Sequence, residues 1–215
     1  MNKEKPTKRR YNSKRRKEQA RLTNRQIVEA ARKLFIERGY SGATIEAIAQ
    51  EAGVAPETVY ANFGNKRSIL SKLIDVSIVG DDQSIPLLQR SGPQEVQQEK
   101  NQHRQIQLFA RGMQEIMGRM APIFGIMRLA AKTEPDISEI LQNVLEMRVH
   151  GMEEFIQYLT ANDSLEDGFA PGEAAETVWA ISSAEVYSLL TLDRGWSGEQ
   201  YEQWLAKMLT KLLLK

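Results

Sequence analysis

The stretch Thr44-Ile-Glu-Ala-Ile-Ala-Gln-Glu-Ala-Gly53-Val-Ala-Pro56-Glu-Thr-Val-Tyr60-Ala-Asn-Phe63-Gly-Asn-Lys66-Arg67 decides the fold. Ile45, Ile48, Ala49 and Ala52 recur at helical spacing, and Thr44 stands where an N-cap belongs. Gly53 permits the positive φ of a tight turn, and Pro56 is pre-set for the first position of a second helix. Val59 and Phe63, four apart, give that second helix an inward face. Two short helices joined by a sharp turn, with small Ala49 at the crossing and Val59 as apolar anchor, make a helix-turn-helix. That unit lays its second helix in the major groove of DNA.

The outward side of the second helix supplies the candidate contacts. Thr58 and Asn62 can bond to base edges or phosphates, and Pro56 can touch a thymine methyl. Tyr60 and Lys66 suit phosphates, as does the Thr44 hydroxyl if it is not engaged as a cap. Glu57 has two readings of equal standing: an acceptor for a cytosine amino group, or an acid that favours the helix N-terminus.

Upstream, Ile27, Ala31, Leu34 and Phe35 form an apolar stripe on a helix expected from about Leu22 to Arg38. Gly39 suits the residue just past its end, and Tyr40 can fold back onto Phe35. Before it, residues 1–21 hold ten Lys and Arg against Glu4 and Glu18, a net of +8 in a chain whose total is +1. The remainder therefore carries −7. Segregation of this size points one end at a polyanion. Residues 1–21 are expected to be a disordered basic arm, with Arg9, Arg10, Arg15 and Arg16 meeting phosphates or entering the minor groove.

The segment from about Ile27 to Leu70 resembles the DNA-binding domain of the TetR family of bacterial transcriptional regulators. The matching pieces are Gly39-Tyr40, Thr44-Ile-x-x-Ile-Ala, Ala52-Gly53-Val54, Thr58-Val-Tyr60-x-x-Phe63-x-x-Lys66 and Ile69-Leu70. The resemblance implies a homodimer, DNA contacts from Thr44, Thr58, Tyr60 and Lys66, and a C-terminal helical ligand domain. Ala55 stands where many members have Ser or Thr, and Asn62 where His is common. Both departures bear on which operator is read.

The rest of the chain shows no period-two alternation, so the expected class is all-α: a three-helix reader over 22–67 and a larger helical effector-binding and dimerisation domain over 68–215. A helix is expected over Lys66–Val79, a long one to about Met120 and a separate one from Pro122 to Lys132. Another should be capped by Asp136 with Glu139, and another should run from Pro171 to Leu192. Ser197 and Gln200 form a capping box for the last helix, and Trp196 can staple onto Tyr201.

Six of the eight Met lie between Met113 and Met152. With the aromatic residues they suggest a cavity for an apolar or amphipathic effector, lined by Phe109, Met113, Met117, Phe124, Met127 and Trp179. His103 and Arg104 would orient a polar end. Ordinary core packing is the alternative. Val186, Leu190, Tyr201, Trp204, Leu205, Met208 and Leu212 make the last helices too apolar for a lone terminal hairpin. They either form a four-helix interface between two copies, the side the resemblance favours, or complete the core of one.

With no Cys, the chain has no thiolate chemistry. It also lacks a Gly-rich phosphate loop and a strained nucleophile turn, so an enzyme is not expected. Glu99/His103 and Glu146/His150 have i, i+4 spacing but lack the further carboxylates of a helical metal site, so neither metal nor cofactor is expected. No signal-peptide or membrane-length apolar run appears, and the expected place is the cytoplasm. The expected function is a homodimeric repressor that a small effector releases from a pseudo-palindromic duplex. The alternative is a charge-driven structural DNA-binding protein with no ligand.

Overall fold

The computed structural model describes residues 8–83, 85–166 and 169–214, with side chains from Arg15 onward. Ten α-helices make up its regular structure: α1 Lys8–Gly42, α2 Ile45–Ala52, α3 Pro56–Phe63, α4 Lys66–Val79, α5 Ser91–Gln98, α6 Gln102–Ala130, α7 Pro135–Thr160, α8 Pro171–Ile181, α9 Ala184–Ser188 and α10 Gly198–Leu213. A 3-10 turn covers Leu87–Gln89 and a π-turn Leu189–Asp193. Among the described residues there is no strand, as the sequence implies, and no helix is long and apolar enough to cross a membrane.

The chain divides into two units, Met1–Leu73 and Ile74–Lys215, so the division falls inside α4 rather than at Arg67. In the first unit, Ile27, Ala31, Leu34 and Phe35 of α1 are buried together with Ile48, Ala49, Val59, Ile69 and Leu70. Gly39 interrupts α1 at φ 70°, ψ 172°, a backbone conformation open essentially to glycine alone. Tyr40 then returns onto Phe35, with ring centroids 5.5 Å apart.

Helix α1 corrects one expectation. It begins at Lys8, so residues 8–21 are helical where an unstructured arm was expected; residues 1–7 lie outside the described part. No Gly or Pro occurs between Lys8 and Arg38, and the segment is rich in Ala, Arg, Lys and Gln. Such residues extend an existing helix without a new nucleation step.

In the second unit α6 is the hub, packed against α5, α7, α9 and α10, while α8 lies on α7. Helix α6 runs unbroken through Pro122, where two helices were expected. The proline forgoes one backbone bond, and burial of Met120, Ile123, Phe124 and Met127 on both sides of it holds the helix together. Conversely, the helix expected over Pro171–Leu192 is broken at Ser182-Ser183. Ser183 Oγ accepts from the Val186 N–H at 3.3 Å and starts α9 afresh. Helix α7 begins at Pro135, with Glu134 rather than Asp136 at the N-cap. The Ser197–Gln200 capping box forms as read: the Gln200 N–H donates to Ser197 Oγ at 3.1 Å and the Ser197 N–H to Gln200 Oε1 at 2.8 Å. Trp196 packs against Trp204, at 6.2 Å, instead of stapling to Tyr201.

Candidate nucleic-acid interface

The helix-turn-helix is built by local bonds. Thr44 Oγ1 accepts the Ala47 N–H at 3.1 Å and caps α2. At its other end Gly53 adopts φ 68°, ψ 33°, and the Val54 N–H donates back to the Ala49 carbonyl at 3.0 Å. Val54 and Ala55 then carry the chain into α3, with Pro56 in the first turn. The Ala55 N-cap makes no side-chain bond. The next helix is started by Asn65, whose Oδ1 accepts both the Ser68 N–H at 2.9 Å and the Ser68 hydroxyl at 3.1 Å.

Val59, wholly buried, pins one side of α3 to the core. The opposite side presents Glu57, Tyr60, Ala61 and Asn62 to solvent, with Pro56 and Thr58 half-buried at its edge. Tyr60 is 49% exposed, which leaves its ring and hydroxyl open to a partner. Asn62 donates Nδ2–H to the Thr58 carbonyl at 2.8 Å, which aligns its amide along the exposed edge of the helix. Thr44, Pro56, Glu57, Thr58, Tyr60 and Asn62 thus all reach the surface, as a groove-reading set must.

Lys66, half-buried like Pro56 and Thr58, already holds a partner within the unit. Its ammonium donates to the Tyr40 carbonyl at 2.7 Å and sits 4.2 Å from the Tyr40 ring centroid. It neutralises the backbone where α1 gives way to α2, so its first role is to clamp the reader. Lys33 and Glu51 tie α1 to α2 at 2.7 Å; the bond to Glu51 raises the Lys33 pKa above the usual lysine value. Arg15 and Arg16 are exposed on α1, whereas the Arg9 and Arg10 side chains lie outside the described residues.

The expected effector set separates in space. His103 and Arg104 are exposed at the start of α6 and line an open groove of about 600 Å³ with Arg111, Glu202, Lys207 and Lys211. Phe124 lies 21 residues further along the same helix, about 30 Å away. One small molecule cannot touch both ends. Between them Phe109 stacks on Phe155 at 3.9 Å, and Met113 and Met117 are buried in the body. The Phe124 end has different chemistry. The Arg148 guanidinium lies 5.9 Å from the Phe124 ring and 5.4 Å from the Trp179 ring. Its Nη2 donates to the carbonyls of Trp179 at 3.1 Å and Ser182 at 3.2 Å, closing the C-terminus of α8. Burial lowers the Arg148 pKa and, with no compensating partner on its hydroxyl, raises that of Tyr201. The sequence reading missed Arg148: a lone Arg on the flank of an amphipathic helix gives no sign that it turns inward.

The dimer expectation also divides. Tyr201 and Leu205, with Leu209 and Leu213, form a fully buried stripe on α10, the helix that packs on α6, so both belong to the core of one copy. Trp204, Met208 and Leu212 form a second stripe that is half-buried to exposed, and Val186 and Leu190 are half-buried. Leu189 and Leu192, in the same segment, are 54% and 73% exposed. Of the residues weighed as metal ligands, Glu99 accepts the N–H groups of Lys100 and Asn101, and His150 stands beside Glu153 and Glu154.

Known proteins sharpen this picture. The family described as bacterial regulatory proteins, tetR family, matches residues 27–73. The HTH-type transcriptional regulator TtgR of Pseudomonas putida is 41% identical over 59 residues, which cover 27% of this chain and 28% of TtgR. The likeness to TtgR therefore spans well under a third of that protein. Over nearly the whole chain the fold, rather than the sequence, is shared. A Saccharomonospora viridis protein solved in complex with choline superposes with TM-score 0.66 at 18% identity, covering 89% of this chain and 97% of that one. The SmeT–triclosan complex does so with TM-score 0.63 at 19% identity, covering 90% and 92%.

Proposed function

We propose that this chain, which carries a TetR-family DNA-binding domain over residues 27–73, is a homodimeric transcriptional repressor released from a pseudo-palindromic operator by a small-molecule effector. The observation that carries the reading is the α3 surface: a short helix pinned inward by Val59, with Thr58, Tyr60 and Asn62 set along its outer edge. Two copies would place two such helices in successive major grooves, about one helical turn apart. Thr58 and Asn62 would read base edges, Tyr60, Arg15 and Arg16 would hold phosphates, and the Thr44 hydroxyl, which only accepts in the cap, would donate to one.

The body supports the regulatory half of the proposal. Its fold is shared with proteins solved with choline and with triclosan, and its core sets the Arg148 guanidinium beside the rings of Phe124 and Trp179, with Met127 buried. An effector held there works only through unequal affinity for the DNA-fitting and the released conformations. The copy-to-copy contact is assigned to Trp204, Met208 and Leu212 together with Val186, Leu189, Leu190 and Leu192, whose apolar surface one chain leaves partly open. The protein is a cytoplasmic binder of duplex DNA with no catalytic role.

Sedimentation of the protein with a duplex carrying its selected site tests this directly. The expected stoichiometry is two chains per duplex, with Thr58→Ala plus Asn62→Ala weakening that complex about 10- to 1,000-fold and leaving weak binding to unrelated DNA in place. One chain per duplex, or equal loss on all sequences, contradicts the proposal.

A further inference from the structure

The basic end of the chain has a shape, and the shape restricts what it can grip. From Arg15 to Leu22 every residue of α1 is exposed, and partial burial begins only at Thr23. Over residues 15–28 the cations are Arg15, Arg16, Lys17, Arg21 and Arg25, and the only acid is Glu18, which pairs with Arg21 at 2.9 Å. Exposed i, i+3 pairs of this kind are weak and exchange readily for a phosphate. Lys17, Arg21 and Arg25 share one helical face. Residues 8–22 as a helix extend about 22 Å beyond the first partly buried turn, the length of about six base pairs.

A helix with side chains is about 10–12 Å across, and the minor groove of B-DNA is only about 6 Å wide. An extended peptide enters that groove; a helix does not. A row of cations at helical spacing on an exposed rod instead matches a polyphosphate backbone.

Resting on the DNA-binding reading above, we propose that the N-terminal part of α1 is a helical phosphate clamp. It grips the backbone of the duplex outside the half-site, without base readout and without entering the minor groove. The partner is flanking double-stranded DNA, and affinity depends on how far the duplex extends beyond the operator.

The test uses the full chain and two duplexes sharing one selected core, one ending at the half-sites and one with ten base pairs of mixed sequence on each side. Added flanks are expected to tighten binding at least tenfold near 100 mM salt. Replacing Arg15, Arg16, Lys17 and Arg21 with Gln, which keeps helix propensity, should cut that gain below twofold and reduce the salt slope by about 3–4. Ala20→Pro keeps every charge but breaks the helix, and should also remove most of the gain. On a third duplex whose flanks are A·T-rich, netropsin filling their minor groove should leave the gain intact. Flanks that add nothing overturn the clamp while the DNA reading stands. So does a gain that survives Ala20→Pro or disappears with netropsin. Failure to bind either duplex overturns both.

Discussion

The two units are both helical, yet their polar groups are tied in different ways. In the reader the helix caps are short in sequence: Thr44 caps α2 three residues on, Asn62 reaches back four, and Asn65 caps α4 three residues on, while the ties Lys33–Glu51 and Lys66–Tyr40 span 18 and 26. In the body, side chains reach carbonyls far along the chain. Arg148 holds the end of α8 across 31 and 34 residues, Arg119 holds the Ser77 carbonyl at the end of α4 across 42, and Asn162 holds Glu99 across 63. Under the proposed function, local caps keep α3 fixed for DNA, and helix ends held by distant side chains are ties that a bound ligand would replace.

The largest effect expected from this contrast is at Val59, the buried anchor of α3. Val59→Asp places a carboxylate where no partner exists, costs several kcal/mol and unfolds the reader. Circular dichroism should then lose the helicity of the first unit, and all operator binding should vanish. Loss of DNA binding with the reader still folded would break the comparison.

Next is the long-range tie. Arg148→Met removes two bonds to the end of α8 and the contacts with Phe124 and Trp179, at a cost of about 2–3 kcal/mol. Denaturant unfolding followed by Trp fluorescence should report it. Smaller is the local cap: Ser197→Ala costs about 1 kcal/mol through the capping box on α10. If the Ser197 cap mattered more than the Arg148 tie, local bonds rather than distant ones would dominate the body.

The smallest effect concerns acid. The Arg90 guanidinium, 2.7 Å from Asp81, together with the Gln83 N–H, holds the Asp81 pKa at about 2 against an ordinary 3.8. A depressed carboxylate pKa stabilises the fold above the unfolded value, and that contribution is lost as pH falls from about 4 toward 2. Asp81→Asn should therefore lower the urea midpoint slightly at neutral pH and match the parent protein near pH 2. A difference that widens on acidification would refute the assignment.

How much of this was legible in the sequence follows the same division. Gly39, Gly53, Thr44 and the Ser197–Gln200 box announce themselves because their partners lie within a few residues, and the bounds of α4 emerge as read. Three features did not. The basic segment looks unstructured by charge, but helix propensity and continuity with α1 prevail from Lys8 onward. Pro122 looks like a boundary until burial on both sides holds α6 together. Tyr201 and Leu205 share an apolar face, but the pattern cannot say whether the surface they meet belongs to the same copy or another; packing of α10 on α6 decides it. The last two misses are long-range events with no local signature. Of the interface residues, those on α3 were readable because their exposure follows from its short amphipathic pattern. The inward turn of Lys66 onto Tyr40, 26 residues away, was not.

The central claim is that α3 reads sequence as one half of a dimer. Selection of bound duplexes from a random pool, at roughly physiological ionic strength where charge-only binding is screened, tests it most directly. Readout by a dimer enriches a pseudo-palindrome with half-sites about one helical turn apart. Tight binding at low salt with no enriched motif would contradict it, and would mark the protein as a charge-driven DNA-coating factor.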